Sequence, residues 1–178
     1  MTTTAVRWWP PVGLAATLLL GWAVGKGSTP VDDWFQRAHG SLLGWLLFFT
    51  DQRTLMVILV GALGLAAYRR RWLLVAVVVV SPVVAVWLSQ VCKDLFGRYK
   101  GDAVGYPSGH TTLMVVVLGM VLLVVGARLY VVVVAIVWAL LGMLGQGVTY
   151  HYFTDAVGGL LLGSAIACAA FALIERNR

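Results

Sequence analysis

Six long apolar runs dominate the sequence and constrain its fold more than any other feature. Valine, leucine and alanine fill these runs, and most approach the roughly 20 residues that a membrane-spanning helix needs. Hydrophobic residues make up 61% of the chain and charged residues only 11%, a balance too apolar for a soluble domain of this size. The runs cover residues 11–25, 54–68, 72–91, 111–127, 129–148 and 156–174.

Valine-rich tracts such as "VVVVSPVV" would favour strands in water, but a lipid bilayer requires every backbone polar group to be bonded within its own segment. The sequence therefore predicts an all-α integral membrane protein, a bundle of six transmembrane helices forming one membrane domain over residues 1–178. A further stretch, 34–50, has aromatic residues, an arginine and a histidine in its first half. We interpret it as an additional interfacial or re-entrant helix, with a span as the alternative.

The basic residues predict how such a bundle is oriented. The positive-inside rule is strongest for short loops, and the "RRR" tripeptide at 69–71 occupies a very short one, so its side is predicted to be cytoplasmic. We expect a multi-pass protein of the cell inner (plasma) membrane. The same side carries Arg7, Arg128, Arg176 and Arg178, and the opposite side carries Lys26, Arg37, Arg53, Lys93, Arg98 and Lys100.

Two histidines fall on the side opposite the arginine tripeptide. His110 ends the polar loop "KDLFGRYKGDAVGYPSGH", and two apolar runs separate it from His151, so the chain crosses the membrane and returns between them. Asp155 follows His151 by four residues, which on a helix places both on one face. A carboxylate in that position can hold an imidazole in one tautomer, as a histidine base or nucleophile requires.

The same loop also has the features of an anion site. Glycines and a Ser-Gly-His sequence precede a helix, whose N-terminus presents free backbone N–H groups and a positive dipole. Several cations lie beside them, and a phosphate suits such a combination. The candidate phosphate-binding residues are Lys93, Arg98, Lys100, Ser108 and Gly109.

The order of Lys93, the "PSGH" of 107–110 and the His151-x-x-x-Asp155 pair resembles the type 2 phosphatidic acid phosphatase superfamily. Its membrane members have a six-helix core and a histidine-based site at the outer face. By resemblance, His151 is the nucleophile that forms a phosphohistidine, Asp155 orients it, and His110 protonates the leaving alcohol. The resemblance also implies that Lys93, Ser108 and the Gly109 amide bind phosphate, with no metal and no cofactor.

Two arginines of the family pattern are missing from their expected places. The first-motif arginine-proline pair falls on Lys100-Gly101, and the third-motif serine-arginine pair falls on Leu144-Gly145. Lysine at 100 keeps the charge without the bidentate fork. The phosphate is therefore held differently, for example with help from Arg98 or Gln146, or the activity is reduced.

Substrate class follows from the expected location. A site at the outer edge of the bilayer, flanked by aromatic residues, can take a headgroup from water while the tail stays between helices. We predict hydrolysis of a lipid-linked phosphate monoester or diphosphate, of phospholipid or polyprenyl type. The bilayer and this lipid are the expected partners. Nucleic acid is not expected, because basic residues are common where loops meet anionic headgroups.

Two other function classes remain open at this stage. One is a metal-dependent or serine-based membrane hydrolase, in which Asp94 or Asp102 could join the histidines as ligands, or Ser108 could pair with His151. The nearby lysines argue against a dication. The other is a catalytically weakened member of the resembled family that binds a lipid phosphate or a partner protein.

Overall fold

A computed structural model describes residues 3–177, so Arg178, predicted to lie on the cytoplasmic side, is outside the described residues. The described chain is 80% helical, and its only strands there form a two-residue-per-strand hairpin. The all-α prediction is therefore confirmed. The helices are α1 (Thr3–Val24), α2 (Pro30–Gln36), the 3-10 helix η1 (Leu42–Thr50), α3 (Gln52–Tyr68), α4 (Trp72–Phe96), α5 (Gly109–Val125), α6 (Leu129–Val148) and α7 (Phe153–Arg176); strands β1 (Tyr99–Lys100) and β2 (Ala103–Val104) lie between α4 and α5.

A helix occupies each of the six apolar runs. Among the described residues, four helical segments are long and apolar enough to cross a membrane: 42–68, 72–96, 129–148 and 153–176. The protein is accordingly a multi-pass membrane protein, while the number of six spans stays a prediction. The 42–68 segment is much longer than the 54–68 run because η1 leads directly into α3, with only Asp51 between them.

The 34–50 stretch is two elements rather than one helix. α2 ends at Gln36, a turn follows, and η1 begins after Ser41, whose hydroxyl accepts a hydrogen bond from the Leu43 N–H. The backbone of η1 packs against α6. The interfacial or re-entrant position of this stretch, with a span as the alternative, stays a prediction.

Helix α5 lies at the centre of the bundle. Twelve of its 17 residues are buried, which explains how so short an apolar helix is accommodated. Glycines of α7 let the two backbones approach closely, as small residues do between membrane helices: a Cβ added at Gly159 would lie 2.6 Å from the Ser108 carbonyl oxygen, and one at Gly163 would lie 2.8 Å from that of Thr112. This contact brings the first turns of α5 and α7 side by side.

Charged residues lie at both ends of the bundle, and the arginine tripeptide at 69–71 marks one of them. Arg69 donates to the Val124 carbonyl at the end of α5, and Arg7 lines a surface cavity with Arg176. The C-terminal ends of α4 and α6 and the first turns of α5 and α7 form the opposite end. Both histidines lie at that opposite end, away from the arginines that predict the cytoplasmic side.

Candidate active site

The first turn of α5 presents the Ser-Gly-His sequence. Ser108 is the N-cap, and its buried oxygen accepts hydrogen bonds from the Thr111 N–H and hydroxyl. The fully buried Tyr106, which precedes a cis proline, donates its hydroxyl to the Thr17 carbonyl of α1. These contacts fix where the helix starts and therefore where His110 lies, in its first turn.

His110 and His151 meet at the mouth of the site. Their ring centroids are 6.3 Å apart, although 40 residues and two helices separate them in sequence. His110 is exposed, whereas His151 is 8% exposed. A phosphorus atom needs one nucleophile on one side and a proton donor near its leaving oxygen, and two imidazoles at this separation are suited to both tasks.

Asp155 lies next to His151, but the two are not on one helix face as predicted, because His151 precedes α7 and Asp155 lies in its first turn. Its Oδ2 is 3.7 Å from His151 Nδ1, which is ion-pair range and longer than a hydrogen bond. That Nδ1 is buried and has no hydrogen-bond partner among residues 3–177. The same Oδ2 accepts from the Tyr152 N–H. A small rotation of the ring would therefore complete the contact that holds one tautomer.

Arg98 is directed into the protein and not toward a phosphate. A guanidinium has five N–H donors, and Arg98 makes five hydrogen bonds: two to the Gly27 carbonyl, one each to Asp32 and Asp155, and one to the Thr154 hydroxyl. The side chain is fully buried. This arrangement differs from the prediction that Arg98 binds substrate, because none of its N–H donors is left for a phosphate.

Asp32, at the start of α2, is the second carboxylate on Arg98. It is fully buried and accepts from Arg98 Nη2 at 2.8 Å, and from the backbone N–H and hydroxyl of both Thr29 and Thr154. Burial acts to raise the pKa of Asp32, but the hydrogen bonds from the two threonines outweigh it and leave the pKa below its usual value. Asp32 is thus a stable anion at neutral pH.

Two side chains hold the backbone of the loop that carries His151. Lys100 Nζ donates to the carbonyls of Thr149 and His151, both at 2.9 Å, and Gln36 Nε2 donates to Gly147 and, at 3.3 Å, to His151. Burial lowers the pKa of Lys100, partly opposed by Asp155 and Asp32. Lys100, predicted to contact phosphate, therefore directs two of its three N–H donors to this loop.

Lys93 is the predicted phosphate binder that remains available. Its Nζ lies 3.9 Å from where a Cβ on Gly109 would be, so it faces the first turn of α5. Within residues 3–177 we find no hydrogen bond donated by this ammonium, and the charge of Asp155 lies nearby. The first turn of α5 and this one lysine are the cationic features closest to His110.

Gly145 explains why the family's third-motif arginine is missing. A Cβ added there would lie 2.6 Å from the carbonyl carbon of Leu46 and 2.8 Å from the Leu47 nitrogen, both in the backbone of η1. No side chain fits without moving η1. Gln146, the neutral donor considered instead, is buried and donates its amide N–H to the Thr50 hydroxyl.

Comparison with known proteins agrees with this geometry. The family model described as the PAP2 superfamily matches residues 89–178, half of the chain and the part that contains every predicted site residue. The chain belongs to the PAP2 superfamily. PAP2 proteins are generally phosphatases, which supports a phosphatase-type function. No curated protein and no solved structure matches the chain.

The sequence did not identify Asp32, Gln36 or Gly27 as parts of this PAP2 site. Each contacts a site residue from far along the chain, and Asp32 is 66 residues from Arg98. The "TPVDD" capping pattern does predict the start of α2, but no local signal indicates what its carboxylate contacts. Among the described residues, no three His, Cys, Asp or Glu side chains are arranged to hold a metal ion.

Proposed function

We propose that this PAP2 protein is a membrane phosphatase that hydrolyses a lipid-linked phosphate through a phosphohistidine intermediate. The observation that carries the proposal is the meeting of His110 and His151, with ring centroids 6.3 Å apart, beside a helix N-terminus and a free lysine. Those groups supply a proton donor, a nucleophile and an anion site, the three requirements of histidine-based phosphoryl transfer.

In the first step, the Nε2 lone pair of His151 attacks phosphorus while Nδ1 faces Asp155. The N–P bond forms as the bond from phosphorus to the lipid oxygen breaks, and His110 gives that oxygen its proton. Asp155 stabilises the positive charge that develops on the His151 ring, an interaction supported by the 3.7 Å separation.

In the second step, water attacks the phosphohistidine. His110, now neutral, takes a proton from the water, the new O–P bond forms, and the N–P bond breaks to release inorganic phosphate. Lys93 and the backbone N–H groups of the first turn of α5 stabilise the phosphoryl oxygens in both steps. No metal ion takes part in this scheme.

The membrane setting supports a lipid substrate. The site lies at one end of a multi-pass bundle, and an apolar groove of about 440 Å³ lies at the same end, between α2, η1 and the end of α6. Its lining includes Phe35, Leu144 and Val148, together with the basic Arg37. An alkyl chain suits such a groove, and the arginine tripeptide in the short loop at the other end favours a site on the extracytoplasmic face.

A second candidate function is supported by the reduced set of cations. Gly145 offers no donor, while Lys100 and Arg98 direct most of their N–H groups to the protein. Loss of one transition-state donor typically costs about 3 kcal/mol. A weakened PAP2 protein that binds a lipid phosphate without rapid turnover is the alternative.

Phosphate release from purified lipid phosphates in detergent tests the proposal. The panel contains phospholipid and polyprenyl monoesters and diphosphates, with chelator and vanadate as side conditions. His151→Ala is expected to lower the rate about 1,000-fold or more, and His39→Ala is the matched control, because the His39 ring bonds to the Val148 carbonyl and has no part in the proposed reaction. Acid-labile, alkali-stable labelling of the protein by a ³²P-labelled lipid is expected in the unchanged protein and absent from His151→Ala.

The outcomes separate the two candidates. Chelator-resistant, vanadate-sensitive release that disappears in His151→Ala supports the phosphatase. Binding of a lipid phosphate without release by the unchanged protein supports the binding role. Release that survives His151→Ala at full rate contradicts the phosphohistidine mechanism.

A further inference from the structure

Asp32 occupies an unusual position for a residue outside the family match. It is fully buried, lies in a short helix, and forms a 2.8 Å ion pair with Arg98, whose other carboxylate partner is Asp155 at 2.7 Å. The three side chains form a chain of charges, negative, positive, negative, that ends beside the Nδ1 of His151.

Capping of α2 explains only part of these contacts. The bonds from Thr29 close the first turn of α2, but Asp32 also accepts from the Thr154 N–H and hydroxyl, in the first turn of α7. Thr154 is adjacent to Asp155. Asp32 therefore holds Asp155 in two ways: it fixes the backbone next to Asp155 through Thr154, and it fixes the guanidinium that bonds to Asp155.

The two oxygens of Asp155 have separate tasks. Oδ1 accepts from Arg98, and Oδ2 faces His151. Because Arg98 is held by Asp32 and by the Gly27 carbonyl, it cannot rotate to take both oxygens of Asp155 in a bidentate pair. This arrangement keeps Oδ2 free for the imidazole.

We infer that Asp32 is a positioning residue of the active site, which acts through Arg98 and Thr154 to hold Asp155 against His151. The inference rests on the proposed function, since it assigns Asp32 a part in activating the proposed nucleophile. Asp32 touches no substrate in this scheme.

The chain offers a matched pair of variants to test this role. Asp32→Asn removes the charge with little change in shape, and Asp33→Asn does the same one residue later, at an exposed position. In Asp32→Asn the kcat for lipid phosphate is expected to fall about 10- to 100-fold, as is typical when the partner of a reacting group is displaced. The KM is expected to stay within about threefold, and Asp33→Asn to match the unchanged protein.

A second measurement does not depend on turnover. The protein has three histidines, so ¹⁵N-histidine labelling in detergent micelles gives three imidazoles, which His39→Gln and His110→Gln assign. The neutral His151 ring is expected to carry its proton mainly on Nδ1 in the unchanged protein and in Asp33→Asn. Asp32→Asn is expected to give a mixture of tautomers. Both variants retain the charged and titratable groups around Asp155 and His151, which are His110, Lys93, Lys100 and Arg98.

The tautomer measurement decides the inference. A folded Asp32→Asn protein with the same His151 tautomer as Asp33→Asn would overturn it. If Asp32→Asn does not fold, Thr154→Val, which removes the hydroxyl between Asp32 and Arg98, is compared in the same way. A changed tautomer in a protein that releases no phosphate from any lipid supports the positioning role of Asp32 and rejects the proposed phosphatase.

Discussion

Residues 89–178 carry every side chain that we assign to the reaction, whereas residues 3–88 carry none of them and supply many of the contacts that hold them in place. The first region matches the PAP2 family model. The second contributes the Gly27 carbonyl, Asp32, Gln36 and the backbone of η1, all of which touch the site region directly.

This difference separates chemistry from support. The reacting groups follow motifs with fixed spacing, so a family pattern finds them. The supporting contacts depend on how this chain packs its first three helices and η1 around the site. A missing motif residue such as the arginine at 145 is therefore explained by the other region, where η1 occupies the space.

The largest effect is expected when the missing arginine side chain is restored. Gly145→Arg is expected to destabilise the protein by about 3 kcal/mol or more and not to raise activity, because even its Cβ overlaps the Leu46 backbone. Gly145→Ala is expected to lose about 2 kcal/mol. The free energy of unfolding in mixed micelles measures both effects.

Gly61→Ala is the control for this pair, since nothing lies within 4 Å of its added Cβ and alanine favours a helix interior by about 1 kcal/mol. A Gly145→Arg protein that is as stable as the unchanged protein and faster on lipid phosphates would show that η1 yields readily, and that the two regions are less tightly coupled than their packing indicates.

A second substitution tests the support of Asp155 from within the matched region. A Cβ at Gly105 would overlap the Asp155 carboxylate, so Gly105→Ala is expected to displace that group and lower kcat about 100-fold. Gly27→Ala is the control, because its added Cβ meets nothing and its carbonyl still accepts from Arg98. Equal rates for the two variants would remove Asp155 from the mechanism.

Lys100 distinguishes loop support from phosphate binding. Lys100→Met removes two hydrogen bonds to the 149–151 backbone, and we expect kcat to fall about tenfold with little change in KM, as for a displaced nucleophile. Lys26→Met, at an exposed cation, is the control. A large rise in KM with unchanged kcat would instead assign Lys100 to ground-state phosphate binding, as the family position predicts.

Gln36 gives the smallest expected effect and tests the unmatched region alone. Gln36→Leu loses the bonds to Gly147 and His151 carbonyls, worth about 1 kcal/mol of stability. Activity is expected to fall two- to threefold by comparison with exposed Gln52→Leu. A loss as large as that of Lys100→Met would make α2 as important for the His151 loop as the hairpin is.

Much of the fold was predictable from sequence because apolar runs of helical length have few structural options in lipid. Counting the two apolar runs between His110 and His151 predicted that they lie at the same end of the bundle, whereas their 6.3 Å separation is known only from the structure. The contacts that hold the site residues in place were not predictable from sequence, because the two carboxylates that bond to Arg98 lie 66 and 57 residues away along the chain. A cation in a basic loop has the same local pattern whether it faces a ligand or pairs inside the protein.

The replacement at 145 shows the same limit from the other direction. A glycine in an apolar helix indicates close packing in general, but the sequence does not indicate which backbone approaches it. Here the approach is made by η1, a segment that the aromatic content of 34–50 placed near the interface but did not place on α6.

The pairing of α1 with α7 has a consequence for biosynthesis. Trp9 donates to the Ser164 hydroxyl, and an added Cβ at Gly13 would lie 3.0 Å from Ala165, so the first described helix packs on the last. In a nascent chain that enters the bilayer in order, α1 has no α7 to pack against until residues beyond 160 have emerged from the ribosome. During translation the site therefore closes late, and a chain stalled before α7 exposes one face of α1 to lipid or to an insertion chaperone.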